Sequence, residues 1–284
     1  MRLRPRRLPG SALQRLALVR MLLGLHLLVW TVVDIPHLVT LYGTPVFSVG
    51  RLVGWLLSVL PRDTLLIGST IAVVIGAVAL VVGFWRRSGA LLCFVGDSLL
   101  LELDPGIRSP DLPYIRLLLL VLVLLPAAEP RWWWSSSSTS CEFGWRGHLR
   151  GASLVMWGAL AFGMSCAGIS KLTGGDAAWT SGSAFAVMLD QSAWVRPTAR
   201  ALLSLLPDAL LVATGAGALL LEVGGVAVVL RSIRWPWWLA SSCMHLGALL
   251  VFSIPQVSVA LLIVHLFLAV DDDLVLGTAS HSSN

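Results

Sequence analysis

The chain has 284 residues, is 57% hydrophobic and 12% charged, and carries a formal net charge of +5 with a mean hydropathy of +0.85. A soluble domain usually holds about 25% charged residues; half that share, set in repeated apolar runs of about twenty, excludes an ordinary soluble helical protein and predicts a bundle of helices in lipid. The basic excess does not point to nucleic acid, because most of the arginines stand between or just outside the apolar runs, where positive charge sets topology.

The chain opens with Arg2, Arg4, Arg6 and Arg7, and Arg15 follows, so residues 1–16 read as a basic cytoplasmic segment. The next apolar run continues through Val32-Val33 without a small-residue cleavage signature. It reads as a retained first span, ended near Asp34 and Pro36, rather than as a signal peptide. Eight spans are expected in all, at 17–40, 64–85, 88–103, 112–127, 150–171, 207–230, 235–253 and 256–270. Starting inside, alternate loops hold Arg86-Arg87, then Arg131, Arg146 and Arg150, then Arg231 and Arg234. The opposite loops hold Glu102, Asp104, Arg108 and Asp111, or almost no charge at Pro255-Gln256. The expected fold is therefore all-α: a polytopic membrane helix bundle of about eight transmembrane helices over residues 17–270, with a polar tail at 271–284.

Three stretches fall outside simple spans. Residues 42–63 surround a short apolar run with Gly43, Pro45, Gly50 and Arg51, as in a helix lying at the interface. Residues 128–149 place Trp132-Trp133-Trp134 before a Ser-rich run, which suits an aromatic belt beside a flexible loop. Residues 172–206 predict two interfacial helices, near Ser183 to Leu189 and near Pro197 to Leu206. Glycines 158, 163 and 168, and again 215, 217, 224 and 225, read as positions where small side chains let helices approach. Gly215-Ala216-Gly217 follows no strand and is not a dinucleotide fingerprint. The four cysteines, Cys93, Cys141, Cys166 and Cys243, have neither metal-like nor redox-like spacing, and no metal site is expected.

Ionisable groups at membrane depth are costly unless paired, cavity-facing or within reach of the interface. Here they are Arg20, His26, Asp34, Asp97, Lys171, Glu222, His245 and His265. Lys171 stands first because it is the only lysine among 20 basic residues. A guanidinium stays protonated in essentially any protein, whereas a desolvated ammonium can lose its proton. Lys171 is thus either a general base or a snorkelling lysine at a helix end, with Trp179 as its interface anchor. Glu222 lies mid-span and must be protonated or paired, most simply with a basic group on a neighbouring helix. His245 is placed similarly, and for both the plain alternative is a polar contact that pins helices together. Arg20 and His26 lie within two turns of the cytoplasmic end, within snorkelling reach, and His265 packs in the last span.

Several of these residues stand in a familiar order. Arg20-Met21-Leu22-Leu23-Gly24 followed by Asp34-Ile35-Pro36, and Ala167-Gly168-Ile169-Ser170-Lys171-Leu172 followed by Trp179 and Gly182, resemble segments of the vitamin K-dependent γ-carboxylase family. Leu219 to Glu222, Arg231-Ser232-Ile233, and His245 seven residues before Phe252-Ser253-Ile254 extend the resemblance over residues 17–270. The wider bacterial group sharing this domain is called HTTM and includes a membrane component of machinery that matures peptide toxins. The resemblance implies that Lys171 is the base that deprotonates a reduced quinone (vitamin K or menaquinone hydroquinone), with His245, Glu222, Trp179 and Arg20 around the quinone. It also implies an oxygen-driven carboxylation of a peptide glutamate. The chain departs from the family in a longer interval between Lys171 and Trp179, in lacking a His before Trp134-Ser135, and in ending just after the last span, without the soluble domain that captures propeptides.

Two functions are therefore expected. One is a quinol-linked, carboxylase-like enzyme acting on a small peptide or on the quinone alone. The other is a non-catalytic membrane component for maturing, exporting or resisting a secreted peptide, held to a soluble partner by its interfacial helices. In either case the chain partners the lipid bilayer, and its arginine-rich, lysine-poor usage suits the cytoplasmic membrane of a bacterium, with the N-terminus inside.

Overall fold

The computed structural model describes residues 12–37, 51–103, 111–125, 132, 143–174, 177–190, 195–253 and 255–278. The basic opening through Arg7, residues 42–50, the run from Trp133 through Cys141, and the end of the tail lie outside the described residues. Among those described the protein is helical without a strand, apart from one isolated bridge between Val195 and Phe252.

Two units divide the chain: Met1–Ser153 with Leu266–Asn284, and Leu154–His265. In the first unit the helices are α1 (Ala12–Asp34), α2 (Arg51–Val59), α3 (Arg62–Val82), α4 (Arg86–Leu103) and α5 (Leu112–Leu124). Helix α6 (Phe143–Thr173) begins in the first unit and continues into the second. The second unit adds α7 (Ala177–Thr180), α8 (Ala184–Asp190), α9 (Pro197–Leu203), α10 (Asp208–Val223) and α11 (Arg231–Val251), and α12 (Pro255–Thr278) starts there.

Four segments are long and apolar enough to cross a bilayer: Leu13–His37, Arg62–Val82, Gly147–Thr173 and Asp208–Val228. Leu112–Leu124 and Pro255–Ala269 are apolar but shorter. Each expected span overlaps a helix, four of them among the segments long and apolar enough to cross. Helix α1 stops at Asp34 because Ile35 precedes Pro36, a position that disfavours the α conformation. Helix α12 runs beyond the expected 270 because nothing from Gln256 to Leu276 breaks it, and the first glycine is Gly277. Helices occur where the two interfacial ones were expected, as α8 and α9, and α2 occupies the later part of 42–63.

The exposed faces are apolar. On α3, Ile67, Ile71, Ile75 and Val78 point outward while Leu66, Val73, Ala77 and Leu80 are buried. An apolar stripe on both faces means that lipid, not water, is the solvent of the outer one. Helices α1, α3 and α4 approach closely through glycine. A Cβ on Gly24 would stand 2.8 Å from the Ala77 carbonyl oxygen, and one on Gly76 would stand 2.5 Å from that of Gly89. Gly83, in the left-handed conformation at φ 76°, closes α3 and starts the turn into α4.

Arginines finish the helix ends. The last carbonyls of a helix have no partner within it and carry the negative end of its dipole. Arg62 donates to the Leu103 carbonyl at 2.8 Å and Arg87 to that of Leu125 at 3.0 Å. Arg20, fully buried rather than snorkelling, donates to the Leu80 carbonyl. In the second unit Arg196 donates to Phe252 at 3.1 Å and Arg234 to Val228 at 3.2 Å. Five arginines are thus spent on backbone oxygens, a use for which the rigid fork of this side chain suits it.

The glycine expectations divide. Gly168, Gly215 and Gly225 are close-approach positions, but a Cβ on Gly158, Gly217 or Gly224 would meet nothing within 4 Å. The difference depends on which face of the helix meets a neighbour, which spacing alone does not say.

Candidate functional site: a lysine, a carboxylate and an indole

Helix α6 presents Ala161, Ser165, Gly168 and Lys171 along one face, at the spacing that stacks residues on a helix. Opposite them the second unit changes winding. Helix α10 ends at Val223 and continues as a 3-10 segment, Gly224–Val229. Gly225 faces Ala161, Val223 faces Gly168, and Glu222 faces Lys171.

The Lys171 ammonium donates to both carboxylate oxygens of Glu222, at 2.5 and 2.6 Å. Trp179, on the short helix α7, lies over the same ammonium, 4.4 Å from Nζ to the ring centroid. The pair is not sealed: the Lys171 side chain is 27% exposed and that of Glu222 is 14% exposed. An ammonium held by a carboxylate and an indole face has its charge balanced by both.

Three of the residues singled out in the sequence, Lys171, Glu222 and Trp179, therefore meet. His245 lies elsewhere in the second unit, against His265, their ring centroids 5.4 Å apart. His265 holds the Leu261 carbonyl with Nδ1 at 2.7 Å, so Nδ1 carries the proton and Nε2 accepts from the Ser241 hydroxyl at 3.0 Å. Trp237 stacks on His265 at 6.2 Å and donates its indole N–H to the Leu221 carbonyl at 3.0 Å, one residue before Glu222. Trp238 donates to the His265 carbonyl at 2.9 Å. Arg20 belongs to the first unit and is committed there to the end of α3.

Two features escaped the sequence reading. Ser165 contacts the backbone behind Glu222, a role that an ordinary serine in an apolar helix does not advertise. In the first unit Arg116 donates to the Asp97 carboxylate and to the Asp97 carbonyl, both at 2.7 Å. Its signal was available: an arginine one turn into an apolar helix whose neighbour carries an aspartate at membrane depth. Cys93 is buried and unpaired, and Cys166 and Cys243 are unpaired and exposed. Among the described residues no group of His, Cys, Asp and Glu is arranged to hold a metal ion.

No protein-family profile, no curated protein and no solved structure matches this chain.

Proposed function

We propose that this chain is an eight-span bacterial inner-membrane protein of the γ-carboxylase-like HTTM type, with its N-terminus inside, in which Lys171 takes a proton from a reduced quinone. The observation that carries the reading is the two-pronged contact of Lys171 with Glu222 beneath Trp179. The donor set fits a hydroquinone head: an amine and carboxylate for its hydroxyl, and an indole face for its ring. When bound, such a group would supply an acidic hydroxyl and a reductant for oxygen.

The chain's own part is proton handling. At rest the proton shared by the pair sits on Lys171 Nζ and the charges cancel. The proposed step requires that proton to pass to a Glu222 oxygen, which leaves the amine free. The free amine would then accept a hydroxyl proton at Nζ and become an ammonium again. Glu222, protonated, no longer competes for that ammonium. A lysine serves here and an arginine does not, because only the amine gives up its proton. Trp179 holds the ammonium end of the side chain in place without offering a competing acceptor.

The test uses the full chain in nanodiscs with vitamin K hydroquinone or reduced menaquinone, oxygen, labelled bicarbonate and a glutamate-containing peptide. Quinone epoxide and fixed label are followed together. Epoxide that disappears in Lys171→Ala and Glu222→Gln supports the quinol step, and label in the peptide makes the protein a carboxylase. Folded protein that yields neither product with either quinol overturns the reading and leaves a non-catalytic role in maturing, exporting or resisting a secreted peptide.

A further inference from the structure

We infer that Ser165 is the positioning residue that sets Glu222 against Lys171, by opening the helix immediately behind the carboxylate. The inference rests on the pair itself and not on what the pair acts upon.

In an uninterrupted α-helix the Val226 N–H would donate to the carbonyl of Glu222, four residues earlier. Here the Ser165 hydroxyl takes that N–H instead, at 2.9 Å, and stands 3.3 Å from the Val223 carbonyl, to which it donates. One hydroxyl from α6 is thus inserted between a donor and an acceptor of the neighbouring helix. Side-chain insertion into the backbone ladder is an established cause of a break in winding. The break falls where expected: α10 ends at Val223 and Gly224–Val229 winds as a 3-10 segment.

The same helix face fixes how close the break can come. A Cβ on Gly168 would stand 2.6 Å from the Val223 nitrogen and 3.0 Å from the Glu222 carbonyl carbon. A Cβ on Gly225 would stand 2.8 Å from the Ala161 carbonyl oxygen. Beyond the break, Trp237 grips the Leu221 carbonyl. The backbone is therefore held at Leu221, Val223 and Val226, on both sides of Glu222, while its side chain spans to Lys171. Ser165 lies six residues before Lys171 on α6, so one rigid helix carries both the clamp and the amine. That arrangement explains why the carboxylate meets the amine with both oxygens.

Because Lys171 is the only lysine, an amine-acylating reagent reads this one side chain, resolved from the N-terminal amine by peptide mass. The full-length protein is placed in nanodiscs of phosphatidylcholine and phosphatidylglycerol, which carry no primary amine. Acylation at fixed pH is slow while both carboxylate oxygens engage the amine nitrogen, and Glu222→Gln gives the unpaired rate. Ser165→Ala is expected to raise the rate about fivefold or more towards that limit, and Ser165→Thr, which keeps the hydroxyl, to leave it at wild type. Gly168→Ala, which displaces Val223 from the same helix face, should raise it too and serves where Ser165→Ala does not fold. Wild-type labelling in Ser165→Ala, or equal acceleration in Ser165→Thr, overturns the inference while leaving the pair standing. A Glu222→Gln rate equal to wild type instead removes the pair, and the proposed function with it.

Discussion

Lys171 and Glu222 meet with both carboxylate oxygens within 2.6 Å of one ammonium, although 51 residues separate them in the chain. The geometry makes each partner the reason the other is tolerated at membrane depth. Removing one leaves an uncompensated group, whereas removing both leaves a gap that lipid or a neighbouring side chain can fill.

Lys171→Met and Glu222→Leu are therefore each expected to destabilise the protein by about 2 kcal/mol, and the double variant by less than either single. The figure is set below that for a fully buried pair because the lysine is partly open to solvent. A double-mutant cycle of unfolding in mild detergent measures the coupling. Costs that simply add would show that the contact contributes no stability.

Lys171→Arg keeps the charge and the reach but not the removable proton. Quinone-linked product formation should fall by about 100-fold or more, while stability stays near wild type. The comparison of turnover with unfolding midpoint separates chemistry from folding. An arginine variant that turns over normally removes Lys171 as the base.

Gly168→Ala and Gly158→Ala form a matched pair on one helix. A Cβ at 168 collides with the Val223 backbone, whereas at 158 it meets nothing within 4 Å. The first should cost about 1–3 kcal/mol through overpacking. The second should be neutral or stabilise by up to about 1 kcal/mol, because alanine suits a helix interior better than glycine. Thermal unfolding of the two variants in the same lipid decides the matter.

Arg116 contacts Asp97 twice, through Nε to the carboxylate and through Nη2 to the backbone carbonyl. A lysine there offers one charge without the fork. Arg116→Lys is expected to cost about 1–2 kcal/mol despite conserving charge, with Arg116→Leu worse unless Asp97→Leu accompanies it. Chemical unfolding of the three variants gives the order, and a harmless Arg116→Leu would show that the pair is not structural.

How far the site was legible can be seen in its members. Lys171 stood out because a chain that uses arginine everywhere else has one lysine, and Glu222 because a carboxylate in an apolar run requires a partner. The need for a basic partner on another helix was readable; its identity was not, since nothing local in either segment points to the other. Trp179 was visible as an aromatic near a helix end, but its place over the ammonium depends on the short helix α7 turning back after α6. Ser165 was not legible at all. A serine in an apolar helix usually bonds within its own turn, and only the approach of α10 makes its hydroxyl an inserted donor and acceptor.

By itself the sequence determined the solvent and the elements. Apolar runs long enough to span a bilayer must satisfy their own backbone in lipid, which dictates helices, and Pro36 and the flanking arginines mark several of their ends. The tertiary structure alone decided which glycine is a contact and which is open, where the arginines spend their donors, and that α10 breaks just after Glu222 so that the carboxylate meets Lys171. The reason is physical. Helix formation depends on neighbours within four residues along the chain, whereas the ion pair, the glycine contacts and the inserted hydroxyl depend on the register between helices. That register is set by the packing of whole faces, and no single segment encodes it.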